Sequence, residues 1–138
     1  MSKGLTPTHY DATVLATLGL ERTETLYYRV GMAPEQALEF GLALQATRPL
    51  SGDPIVPTVL ALHKLANSKG YKISAAHLSF RVGREYSRVI YARIHSSDVA
   101  ARWLADVKRV LREAKLAPDE LTQVGKAGIA SEVRIWWD

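Results

Sequence analysis

Between Thr25 and Val30 the chain alternates: Leu26, Tyr28 and Val30 fall on one face, Thr25, Tyr27 and Arg29 on the other. That two-residue period predicts a half-buried strand and places a permanent cation, Arg29, beside Tyr27. Gly31 interrupts the pattern, and the period then lengthens. Pro34 suits a first helical position, where losing an amide hydrogen costs nothing, and Glu35 suits the positive helix start. Ala37, Phe40, Gly41 and Leu44 recur at helical spacing, so a helix is predicted to about Ala46, although Ala33 is a poor N-cap. "TRPLSGDPIVP" reads as a loop. Val59, Leu62, Leu65 and Ala66 predict a second helix over 57–68, stopped by Gly70.

Alternation returns in "ISAAHLSFRV", with Ala76, Leu78, Phe80 and Val82 on the apolar face and His77, Ser79 and Arg81 opposite. "GREYS" turns the chain and "RVIYARIH" comes back, the pattern of an antiparallel hairpin. Ser96 or Ser97 is placed to cap a further helix, with Val99, Trp103, Val107, Val110 and Ala114 as its buried stripe and its end before Pro118. After "GKAG", the segment "SEVRIWW" predicts a terminal strand with Val133, Ile135 and Trp137 opposed to Glu132, Arg134 and Trp136. Upstream, residues 1–10 read as a loose arm, and "DATVLATLGL" as a short helix from Asp11 to Gly19. The order predicts an α+β fold over residues 1–138 as a single domain, a small mixed or antiparallel sheet with several packed helices.

Composition narrows the chemistry. A chain of 138 residues can bury roughly two thirds of its unfolded surface in one core without crosslinks. It has no cysteine, which excludes disulfides, thiolate metal sites and cysteine nucleophiles. His63 lies on the second predicted helix without a partner at ligand spacing, and no metal site is predicted. The first ten residues lack a signal-peptide core, and no run approaches the ~20 apolar residues of a membrane span. The expectation is a chain without membrane contact, cytoplasmic as made; delivery to a target cell would need a route without a cleavable signal. The net charge of +4 permits nucleic acid or an acidic protein as partner. Much of the excess sits in "RWLADVKRVLREAK", where Arg102, Lys108, Arg109, Arg112 and Lys115 decorate one helix. A solvated face is the plainest reading of that helix.

Polar side chains on strands with apolar opposite faces are the candidate chemistry: Arg29, then His77 and Ser79, then Glu132. If those faces converge they form one cleft; equally, Arg29 and Glu132 would make an ordinary cross-strand ion pair. "LYYRVGMAPEQALEFG", a middle strand with Ser79, and "GIASEVRIWW" together resemble the plan of ADP-ribosyltransferase toxin domains. The resemblance spans about residues 24 to 137 and rests on short motifs. It implies an effector or toxin that uses NAD, with a macromolecular acceptor and an immunity or antitoxin protein. Arg29 would hold the dinucleotide phosphates or ribose, Ser79 would orient the glutamate and the cofactor, and Glu132 would stabilise the charge that develops as nicotinamide leaves. Tyr27, Tyr28 or Trp136 would stack on the nicotinamide. Two motifs depart from that family: Leu78, Ser79 and Phe80 stand where Ser-Thr-Ser is common, and Ala130 where Glu or Gln is common.

A second reading needs no resemblance. His77, His95, Arg81, Arg93 and Tyr91 fall on the hairpin strands of a basic chain. They suit a metal-independent ribonuclease with histidine as general base and arginines on the phosphate, but the sequence fixes no carboxylate beside them. A third reading is a non-catalytic inhibitor or interaction domain that holds an acidic partner with the basic helix of residues 97 to 115.

Overall fold

The computed structural model describes residues 32–47, 54–68, 71, 77–83 and 88–137. The predicted helix of residues 11–19, the strand carrying Tyr27, Tyr28 and Arg29, and the predicted stop at Gly70 lie outside the described residues. In chain order the elements are α1 Pro34–Thr47, α2 Ile55–Ala66, β1 Leu78–Val82, β2 Val89–Ile94, α3 Ser97–Ala100, α4 Trp103–Glu113, β3 Glu120–Val124 and β4 Ser131–Trp136. The architecture is α+β: a four-stranded antiparallel sheet, ordered β1-β2-β4-β3, with helices against one face. No helix among the described residues is long and apolar enough to cross a membrane.

The alternating pattern decides which face the helices cover. Leu78, Phe80 and Val82 of β1, Ile90, Ala92 and Ile94 of β2, and Val133 and Ile135 of β4 are all buried in one core. Ala37 and Phe40 of α1, Val59, Leu62 and Leu65 of α2, and Trp103, Val107 and Leu111 of α4 meet them. Trp103 ties the layers together, since its indole Nε1 donates to the Ala92 carbonyl at 3.0 Å and satisfies the one polar atom the ring brings into the core. Met32 joins the β1 edge through an isolated bridge to Phe80, with bonds of 2.7 and 2.8 Å.

Three local solutions differ from the sequence pattern. Ala33 has no side-chain oxygen to cap α1, but Gln36, three residues on, accepts from the Ala33 N–H at 3.0 Å, one half of a capping box. The helix predicted from Ser96 breaks into α3 and α4, and Ser96 makes no side-chain cap bond. The buried stripe continues from Val107 to Leu111, with Val110 at its margin and Ala114 exposed. Strand β3 was absent from the hydrophobic pattern altogether: Glu120, Thr122 and Val124 are exposed, and only Leu121 and Gln123 turn inward. It exists by pairing with β4, from Glu120 opposite Trp136 to Val124 opposite Glu132.

Helix α4 stops in a Schellman motif. The Leu116 N–H reaches the Leu111 carbonyl at 2.9 Å and the Lys115 N–H reaches the Arg112 carbonyl at 3.1 Å, with Lys115 left-handed at φ 59°. Trp137 then locks the exit by donating Nε1 to the Leu116 carbonyl at 2.6 Å. Between α1 and α2 the close approach is made at Gly41, where an added Cβ would lie 2.7 Å from Val56 Cγ2. Two stability changes are expected in urea titrations. Lys115→Gly should stabilise by roughly 0.5–1 kcal/mol, because glycine takes left-handed backbone without a Cβ clash. Gly41→Leu should cost about 1–3 kcal/mol by forcing the helices apart; unchanged midpoints would contradict both.

Candidate functional site

The face of the sheet away from the helices carries the polar residues in rows set by register. Ser79 stands opposite Arg93, and Arg93 opposite Glu132. In the next row Arg81 stands opposite Tyr91, and Tyr91 opposite Arg134. Beyond these, Trp136 stands opposite Val89. At the other end His95 donates its backbone N–H to the His77 carbonyl at 2.7 Å, which sets the two histidines side by side.

Glu132 is the unusual member of this face, a carboxylate only 7 % exposed. Its partner comes from two strands away. Arg81 reaches over β2 and delivers Nη2 to one carboxylate oxygen at 2.8 Å and Nε to the other at 3.2 Å. This forked, charge-assisted pair is the geometry a guanidinium makes best. On the way the Arg81 guanidinium lies 4.6 Å from the centre of the Tyr91 ring, so the tyrosine supports it from below. Gln123 fixes the backbone beneath Glu132, its Nε2 donating to the Glu132 carbonyl at 3.0 Å.

Ser79, Arg81, Arg93, His95 and Glu132 line a single open cleft of about 460 Å³. Ser79 Oγ and His95 Nε2 are 3.1 Å apart, a hydrogen bond that orients the ring. The His95 pKa is lowered below the ordinary 6.5, first by burial, then by the nearby Arg93 and His77 charges, with Glu132 pulling the other way. One small volume therefore holds a fixed carboxylate, a titratable imidazole, a hydroxyl and two guanidinium groups. Among the described residues no group of three or more histidines and carboxylates could hold a metal ion.

The candidate residues of the NAD reading divide. Ser79 and Glu132 share the cleft, and Trp136 stands on the same face two rows away. Arg29, Tyr27 and Tyr28 lie outside the described residues. Among the described residues the cation that meets Glu132 is Arg81. The candidate nuclease residues share one sheet face, with His95, Arg81 and Arg93 in the cleft, Tyr91 beneath Arg81 and His77 beside His95. The carboxylate missing from that set is Glu132. Its place on the polar face of β4 was readable from alternation; its nearness to His95 required knowing that β4 pairs with β2.

The basic helix is divided too. Asp106 is bound by Arg102 at 3.4 Å, by Arg109 at 3.2 Å and by the Tyr71 hydroxyl, whose pKa is raised by burial and then by this carboxylate. Lys108, Arg112 and Lys115 instead rim a shallow groove floored by Leu111, Ala117, Pro118 and Leu121. No family model, curated protein or solved structure matches the chain.

Two measurements check the site's electrostatics. Arg81→Ala strands a largely buried carboxylate and should destabilise by about 1–3 kcal/mol, less than for a fully buried pair because Arg81 is 25 % exposed; adding Glu132→Gln should recover part of the loss. In an NMR titration His95 should show a midpoint below 6.5, and Arg93→Ala should raise it. Because the folded pKa is the lower one, the unfolded chain binds more protons, so His95 costs stability as pH falls from about 6.5 through its folded midpoint. A midpoint above 6.5 would contradict this arrangement.

Proposed function

We propose that this protein is a metal-independent ribonuclease whose reaction is carried by Glu132 and His95. The observation behind the reading is the shared cleft, in which an arginine-held carboxylate, a serine-held imidazole and the exposed Arg93 converge. Arg93 meets the non-bridging phosphate oxygens of the scissile diester. The Glu132 carboxylate accepts the proton of the adjacent ribose 2′-hydroxyl as its oxygen attacks phosphorus. As the new bond forms, the bond from phosphorus to the 5′-oxygen breaks, and the His95 imidazolium gives that oxygen its proton. The products are a 2′,3′-cyclic phosphate and a free 5′-hydroxyl, leaving Glu132 protonated and His95 neutral. Water then opens the ring by the reverse exchange, with His95 as base and Glu132 as acid.

The surrounding residues support these assignments. With Nε2 engaged by Ser79, Nδ1 is left to pass the proton. A lowered pKa makes the imidazolium a stronger acid, and a bound phosphate restores its protonated fraction. Arg81 positions Glu132 rather than the substrate. The histidine assigned as base by sequence pattern thus becomes the acid of the first step, because a fixed carboxylate stands beside it.

A second reading keeps NAD as substrate, supported by Ser79 and Glu132 lying together in the cleft. It would give an ADP-ribosyltransferase-like effector. The two separate cleanly. Purified protein with single-stranded RNA in chelator should yield cyclic-phosphate ends, with Glu132→Gln and His95→Ala each slowing cleavage by about 10²–10⁴-fold. Intact RNA, together with nicotinamide release from labelled NAD that is lost in Glu132→Ala, would reverse the order of the readings.

A further inference from the structure

The ribonuclease reading, on which this inference rests, demands a particular kind of substrate. Attack of the 2′-oxygen in line with the departing 5′-oxygen requires a backbone that can turn at the scissile step, and an A-form duplex holds that step out of line. Glu132 is recessed as well, at 7 % exposure, beneath the arm of Arg81. A ribose reaches it only by leaving its stack, and the bases so released need other planes to rest on.

The sheet offers such a plane in a definite place. Glu132, Arg134 and Trp136 stand on one face of β4, with successive members about 7 Å apart. Arg134 is held by Glu120 at 2.8 Å, which neutralises the middle position. The Tyr91 ring in that row already has the Arg81 guanidinium on one side. Trp136 in the last row stands between buried Val89 on one side and Glu120 on the other, and is partly exposed. We infer that the outer face is a track for single-stranded RNA, with Trp136 stacking a base about two nucleotides from the scissile phosphate.

Binding of fluorescein-labelled 2′-fluoro oligouridylates, which lack the attacking hydroxyl, tests this apart from catalysis. Affinity for the wild-type protein should tighten as the oligomer grows from two to five nucleotides. Trp136→Ala should remove about tenfold of that gain, and Trp136→Phe should keep most of it. A 2′-fluoro duplex long enough to stay paired should bind more weakly than a single strand of that length. No gain with length, equal gain in Trp136→Ala with unchanged circular dichroism, or equal duplex binding would overturn the track. Should the oligomers bind as described while ordinary RNA stays intact, the catalytic reading fails and the binding face remains.

Discussion

Burying a carboxylate on the face of a sheet costs several kcal/mol unless a cation meets it with good geometry. Arg81 meets Glu132 from two strands away, and much of the outer face follows from that reach. The guanidinium must cross β2, so the residue beneath it has to be flat and tolerant of charge, and Tyr91 is both. Residues to one side of the crossing, Ser79, Arg93 and His95, are left lining an open cleft with the carboxylate at its floor. The ion pair therefore shapes the cleft as much as it stabilises the sheet.

The helical face makes the crossing possible by keeping the strands in order. Trp103 fills the core over β2 and hydrogen-bonds to it, while Leu78, Ile94 and Val133 extend the same apolar layer on either side. With β2 gripped from below and paired on both edges, the register that sets Arg93 between Ser79 and Glu132 cannot slip by one residue. A slip would turn every apolar side chain of the strand to the polar face. The energy of the core is thus what holds the cleft to a defined geometry, although no core residue enters it.

Much of the fold was legible in local pattern. The alternations in β1 and β4 assigned Leu78, Phe80, Ile135 and their neighbours to the buried face, and the structure agrees. Helices α1 and α2 fall where helical spacing and Pro34 placed them, within two residues. Strand β3 was illegible because an edge strand with a half-buried inner face carries too few apolar residues to show a period. The break between α3 and α4 was hidden for the opposite reason, since Val99, Trp103 and Val107 keep a helical spacing straight across it.

The candidate site was legible only as a set of parts. Alternation could say that Ser79, Arg81, Arg93 and Glu132 each faced away from a core, because that depends on neighbours in the chain. Whether they faced one another depended on strand order, which sets β4 against β2 over an apolar layer shared with α2 and α4. Side-chain period is a property of a few consecutive peptide units, and it survives in any fold that contains them. The reach of an arginine across an intervening strand exists only once some fifty residues of chain have closed upon themselves.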